Sequence, residues 1–166
     1  MLVIVEGPDG SGKTTLIHRI KKDLGSVLVL SRGGRLGLSE FSYFHDCVEE
    51  LNCSGLFDYV ILDREPWVSE AVYGKVIRKD WSAPSYLRVW NEYEKLGPVK
   101  IIHCWEILQP RSEQQMEGVL DNLREIQEEY ESIISSLTLV KGVDIHRYHS
   151  THPIENIIEF IKRRET

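Results

Sequence analysis

An α/β domain of three layers, with a parallel sheet between helices, is the fold class this sequence predicts. Three observations predict it. Short apolar runs alternate with segments whose apolar residues recur at helical spacing, the pattern of βαβ units. The first run, Leu2 to Val5, leads through Glu6 into Gly7-Pro8-Asp9-Gly10-Ser11-Gly12-Lys13-Thr14, which fits the phosphate-loop pattern of glycine, four residues, then Gly-Lys-Ser/Thr. A later run, Tyr59 to Leu62, ends in Asp63 and Arg64, and ligands of open parallel sheets gather at such strand ends.

The chain as a whole narrows the class. A length of 166 residues predicts one domain, residues 1–166, with enough chain to bury a core. Its 42% hydrophobic and 28% charged residues are those of a soluble globular protein. A formal net charge of −6 argues against a broad nucleic-acid-binding face, though not against a local basic pocket. Cys47, Cys53 and Cys104 lack metal-ligand or CxxC spacing and read as reduced thiols of a cytoplasmic protein. Leu2 to Val5 is too short for a secretory signal, and no apolar run reaches membrane-spanning length, so no membrane partner is expected.

The elements follow in order. After the loop, Leu16, Ile17, Ile20 and Leu24 form a helical stripe beginning at Lys13, with Lys21 and Lys22 in the last turn and Gly25 as the stop. Val27 to Leu30 is the second strand, emptying into Ser31-Arg32-Gly33-Gly34-Arg35, where Arg32 is a candidate ligand-facing cation. Phe41, Phe44, Val48 and Leu51 mark the next helix, with Ser39 as its N-cap and Asn52 to Gly55 as the turn after it. Phe44 is a candidate for stacking on a base, as is Phe41. Tyr59 to Asp63 is the third strand. Glu65 to Gly74 leads into another helix, with Arg78 and Lys79 beyond it.

Ser82-Ala83-Pro84 opens the segment to Leu96, whose Leu87, Trp90 and Tyr93 share a face, and Gly97-Pro98 ends it. Val99 to Trp105 is the fourth strand, with His103 read as a satisfied core residue. A polar stretch from Pro110 to Gln115 precedes the longest helical pattern, Met116 to Leu137, whose regular part is expected from about Val119 because Gly118 weakens its start. Asp121, Glu125, Glu128 and Glu129 form its solvated face. Val143 to Tyr148 is the last strand, His149 to His152 a loop, and Pro153 opens a helix with Ile154, Ile157, Ile158 and Ile161 inward.

These residues define a chemistry. Strand, glycine-rich loop and helix in that order let backbone N–H groups and a helix N-terminus converge on phosphate oxygens. Gly7, Asp9, Gly10, Ser11, Gly12, Lys13, Thr14 and Thr15 are the candidate nucleotide-binding positions. Lys13 adds a point charge at the β/γ-phosphates, and the Thr14 hydroxyl and Asp63 carboxylate are candidate Mg²⁺ ligands. Arg64 stands where it can reach an acceptor phosphate.

Residues 5 to 15, Val-Glu-Gly-Pro-Asp-Gly-Ser-Gly-Lys-Thr-Thr, resemble the opening of the thymidylate kinase family, and Asp63-Arg64 resembles its Asp-Arg motif. Residues 63 to 74 with the later Gln115-Met116-Glu117-Gly118 also look like short phage-encoded P-loop kinases of thymidylate kinase type. The resemblance implies a P-loop kinase fold, with a five-stranded parallel sheet in the order 2-3-1-4-5, flanking helices and a short lid near residues 109–118. It implies a nucleoside triphosphate donor, ATP with Mg²⁺, and a deoxynucleotide acceptor, dTMP or a related pyrimidine monophosphate. Asp9 meets the deoxyribose 3′-hydroxyl, Arg111 is a lid arginine that neutralises the transferring phosphoryl group, and Tyr148 to His152 border the donor adenine. Host cytoplasm is the implied location for a phage-encoded member, and a homodimer is an allowed assembly. Departures are the short chain, Ser31-Arg32-Gly33-Gly34 in place of Thr-Arg-Glu-Pro-Gly, a single lid arginine, and Val72-Tyr73 where the family has Tyr-Gln, which leaves Tyr73 as the candidate ligand contact.

Two other functions fit the same loop. A hydroxyl acceptor, on a nucleoside or on a hydroxymethyl-pyrimidine within DNA, wants a general base, for which Glu65 or Asp63 is available, with Arg32, Arg35, Arg64, Arg78 and Arg88 as a phosphate track. A non-catalytic nucleotide switch is disfavoured, because the sequence lacks an Asn-Lys-x-Asp base reader and its only Asp-x-x-Gly lies inside the loop.

Overall fold

A strand can be apolar at every position only when helices cover both faces of its sheet. The computed structural model describes residues 1–31, 38–79, 86–107 and 117–163. In it β1 (Leu2–Glu6) is buried along its whole length at the centre of a parallel sheet. It is flanked by β3 (Tyr59–Asp63) and β4 (Val99–Cys104), with β2 (Val27–Ser31) and β5 (Val143–Tyr148) outside them, in the order β2-β3-β1-β4-β5. That is the expected order. The two-residue period of the strand divides the core: Leu2 and Ile4 face one layer, and Val3 and Val5 face the other.

The first layer holds α2 (Leu38–Cys53), α3 (Pro66–Tyr73), α4 (Tyr86–Lys95) and α5 (Leu123–Leu137), packed through Phe41, Val48, Trp67, Tyr93, Ile126 and Tyr130, among others. The second holds α1 (Lys13–Asp23) and α6 (Ile154–Lys162), packed through Leu16, Ile17, Ile20, Ile157, Phe160 and Ile161. Each fully buried aliphatic side chain stabilises this arrangement by about 1.5–3 kcal/mol. Among the described residues no helix is long and apolar enough to cross a membrane.

Several local expectations are corrected. Helix α2 already includes Leu38, so Ser39 lies inside its first turn and is not its N-cap. The same helix runs on to Cys53, which confines the turn to the residues after it. Arg78, expected beyond the helix, lies in a π-helical turn, Gly74–Arg78, that continues α3 until Lys79 adopts the left-handed φ of 54°. Helix α5 becomes regular only at Leu123: Gly118 sits at a φ of 84°, and a 3₁₀ turn from Leu120 to Asn122 ends with Asn122 at φ −120°, outside helical geometry. Trp105 lies just outside β4 and is exposed. The helix start expected at Ser82 to Pro84 falls outside the described residues.

Because the sheet is parallel, all five strands end at one edge. The register places Val5 beside Asp63 and Glu6 beside His103, with Cys104 beside Tyr148. The phosphate-loop motif, Asp63-Arg64, Trp105 and the loop after Tyr148 are thereby gathered from positions far apart in the chain.

Candidate active site

The loop leaves β1 through a contact that only glycine allows. A Cβ on Gly7, whose φ is 146°, would lie 2.1 Å from the Cys104 carbonyl oxygen. Gly7→Ala is therefore expected to lower stability by about 1–3 kcal/mol, as overpacking does, and to weaken nucleotide binding. Denaturant unfolding and a titration with a non-hydrolysable ATP analogue check both; wild-type values in both would show that β4 yields to the methyl group.

At the far end of the loop Gly12 takes a left-handed φ of 81° as the N-cap of α1, with no side chain capping the helix. The first N–H groups of α1 thus lie at the strand-end edge with no cap from the Gly12 side, a ready anion site. Within the loop the Ser11 N–H donates to the Pro8 carbonyl at 3.3 Å, and Gly10 is exposed.

Lys13 is buried, its Nζ donating to the Pro8 carbonyl at 2.7 Å and lying 3.5 Å from Ser11 Oγ. Burial, reinforced by the nearby Arg64, holds its pKa down to about 8, against the opposing pull of Glu6 and Asp9. Thr14 and Thr15 are exposed in the first turn of α1, and Asp63 is half-buried at the end of β3. Hydroxyl and carboxylate oxygens are the hard donors that Mg²⁺ takes, so Thr14 and Asp63 fit that ion.

Arg64 is the most constrained side chain of the site. Its backbone has a φ of 78°, unusual for a residue with a Cβ, and its N–H donates to the Val5 carbonyl at 3.1 Å. The guanidinium pairs with the Asp9 carboxylate, reaches the Tyr130 hydroxyl at 3.5 Å and stands 5.8 Å from the centre of the Tyr73 ring. The Tyr73 hydroxyl in turn accepts the Asp9 N–H at 3.1 Å. Arg64, expected on the acceptor side, and Asp9, expected at a sugar hydroxyl, are thus brought together directly.

Other candidates go elsewhere. Glu65 is fully buried as the N-cap of α3: one oxygen accepts the Val68 N–H at 2.8 Å, and the other lies 2.8 Å from His45 Nε2. Expected as a candidate base, it is engaged inside the protein. Phe44 is half-buried and packs at the core margin, 6.1 Å from the His45 ring, while Phe41 is buried beside the same histidine. The aromatic residue that joins Asp9 and Arg64 is Tyr73. Of the phosphate track, Arg64 pairs with Asp9 and Arg78 with Glu70. Arg32 and Arg111 fall outside the described residues.

His103 is buried as expected but is not satisfied. Among the described residues neither ring nitrogen has a hydrogen-bond partner, the nearest carboxylate oxygen being that of Glu131 at 3.6 Å. Burial and then Arg147 push its pKa down to about 4, so the ring is neutral as it stacks on Tyr130. Cys104 is likewise kept as a thiol, raised to about 12 by burial.

Sequence reasoning missed three residues. Tyr130 is one apolar position of the helical pattern from Met116 to Leu137, with no signal of a site role. Trp105, 42% exposed, stands 5.5 Å from the His149 ring, which is tied to Glu106 at 3.0 Å. Glu6 is the third: fully buried, it accepts the Gly7 N–H at 2.9 Å and the Glu65 N–H at 2.8 Å. Burial raises its carboxyl to about 7, against the pull of Arg64, the Gly7 N–H and Lys13. An ionisable residue closing an all-apolar strand is the signal that could have marked it.

No protein-family model matches this sequence, and no curated protein matches it. Solved structures do. The YorR protein of Bacillus subtilis, determined in complex with phosphorylated GDP, is similar with a TM-score of 0.69 and 20% identity, over 97% of this chain and 93% of that one. Deoxyadenosine kinase from M. mycoides, with dCMP and dCDP bound, is similar with a TM-score of 0.60 and 15% identity, over 97% and 96%. Thymidylate kinase from Ehrlichia chaffeensis follows at 0.51 and 15% identity, over 97% and 95%. With the strand order and the loop geometry, these likenesses make the fold that of the P-loop nucleotide kinases.

Proposed function

We propose that this chain transfers the γ-phosphoryl group of ATP, with Mg²⁺, to a deoxynucleoside monophosphate, with dTMP as the leading acceptor. One observation carries the acceptor side: a guanidinium held by Asp9, Tyr73 and Tyr130 at the mouth of the phosphate loop. A planar fork in that position suits the oxygens of an acceptor phosphate. An acceptor oxygen attacks the γ-phosphorus, the bond to the β–γ bridging oxygen breaks, and ADP leaves with a deoxynucleoside diphosphate. Such an oxygen is already ionised and needs no base, which agrees with Glu65 being engaged as a buried cap.

In this reading the loop amides and Lys13 hold the donor phosphates, and Trp105 offers its exposed face to the donor base. Thr14 and Asp63 would hold Mg²⁺, which when bound neutralises charge on the β- and γ-phosphates. Arg111 and Arg32 keep the roles their sequence positions suggest, a lid charge for the transferring group and a ligand-facing cation. The similarity to a deoxyadenosine kinase favours, as a second reading, a nucleoside hydroxyl as acceptor.

An acceptor screen with ATP and Mg²⁺ separates the two. ADP release is expected with dTMP or another pyrimidine monophosphate. Flat release across the monophosphates would sink the leading reading, and transfer to a deoxynucleoside or to hydroxymethyluracil-containing DNA would replace it.

A further inference from the structure

We propose that Glu6 is a positioning residue that couples the two halves of the site, so that donor and acceptor bind more tightly together than apart. The inference rests on the phosphotransferase reading.

The geometry is that of a strap. One carboxylate oxygen accepts the N–H of Gly7, where the donor loop begins, and the other accepts the N–H of Glu65, directly after Arg64. The backbone of the two segments is also joined where the Arg64 N–H meets the Val5 carbonyl. Gly7 cannot move toward β4, because the Cys104 carbonyl already fills the space a Cβ would take. A planar carboxylate with one oxygen on each segment cannot tilt with one of them without pulling on the other.

The residue type points the same way. A buried carboxylate is costly unless its oxygens are hydrogen-bonded, and a glutamine of the same size would turn an N–H donor toward one of the two N–H groups. Lys13 and Arg64 supply the compensating positive charge, one from each half of the site. Both must rearrange when substrates arrive, Lys13 from the Pro8 carbonyl and Arg64 from Asp9. A donor that orders the loop through Glu6 also orders the turn bearing Arg64, and the acceptor then loses less freedom on binding.

The test is a binding cycle. dTMP is titrated with and without Mg²⁺ and a non-hydrolysable ATP analogue, and the analogue with and without dTMP. The wild type is expected to show coupling of roughly 5-fold or more, equal in both directions by linkage. In Glu6→Gln and in Glu6→Asp, which keeps the charge but shortens the reach, the analogue still binds alone while coupling falls to about 1. Undiminished coupling in a folded variant overturns the proposal. Wild type that binds both ligands without coupling overturns it alone, whereas wild type that binds the analogue but neither dTMP nor any acceptor of the screen above removes the phosphotransferase reading with it. If neither variant folds, amide exchange in the wild type decides: the analogue slows Gly7 and Glu65 together, and slowing at Gly7 only is fatal to the strap.

Discussion

Lys13→Met is expected to remove phosphoryl transfer, by roughly 10²–10³-fold or more, while leaving the folded protein at least as stable as the wild type. The two effects have one cause. In the proposed reaction the ammonium binds the donor phosphates; in the structure it is buried against the Pro8 carbonyl with its pKa held down to about 8. A lysine whose folded pKa lies below its ordinary 10.5 destabilises the fold while charged. That penalty is full below pH 8, shrinks between 8 and 10.5, and vanishes above. At 1.36 kcal/mol per unit it is on the order of 3 kcal/mol, part of it offset by the bond to Pro8.

Methionine keeps the length and drops the charge, so its unfolding midpoint should match or exceed the wild type's at pH 7, by up to several degrees. The advantage should fade as pH rises toward 10.5. A clearly lower midpoint at pH 7 would mean that Lys13 is a net structural asset. The same pKa gives a second readout: wild-type affinity for the ATP analogue should decline as pH climbs past about 8, where the free protein loses the ammonium, and Lys13→Met should be flat there.

Arg64→Ala is expected to lower kcat/KM for the acceptor by roughly 10²–10³-fold, with the KM for ATP little changed. Arg64→Lys should recover only part of this, because an ammonium cannot serve Asp9, the Tyr130 hydroxyl and an incoming phosphate with one planar fork. Arg64→Gly isolates the backbone. A φ of 78° costs a residue with a Cβ about 1–2 kcal/mol, which glycine is spared. The glycine variant should therefore unfold at a higher temperature than the alanine variant while being equally inactive. Equal midpoints would show that the turn relaxes once the guanidinium is gone. An ATP KM that rises in step with the acceptor's would place Arg64 on the donor instead.

The elements legible in the sequence are those whose signal is local. Helix α1 begins at Lys13 because Gly12 and the loop before it set a helix start, and β3 and β5 match their expected bounds residue for residue. Helix ends were less legible. Ser39 has the composition of a cap, but the chain turned helical earlier, and the non-helical Asn122 displaced the regular start of α5 to Leu123. His103 was legible as buried and not as unsatisfied, since partners depend on which side chains α5 and β5 bring alongside.

The sequence by itself determined a phosphate loop between a buried strand and a helix, an Asp-Arg pair at another strand end, and a parallel sheet to align them. These rest on spacing along the chain, which periodicity and glycine placement express directly. Only the tertiary structure decided what each ionisable group does. Glu6, Asp9 and Glu65 are three carboxylates whose neighbours mark them as placed near strand ends and do not say which partner each takes. The register of β1 against β3 buries Glu6 between two backbone N–H groups, pairs Asp9 with an arginine 55 residues away, and turns Glu65 inward as a cap. A carboxylate's role follows from its desolvation and its partners, and both are set by contacts across the sheet.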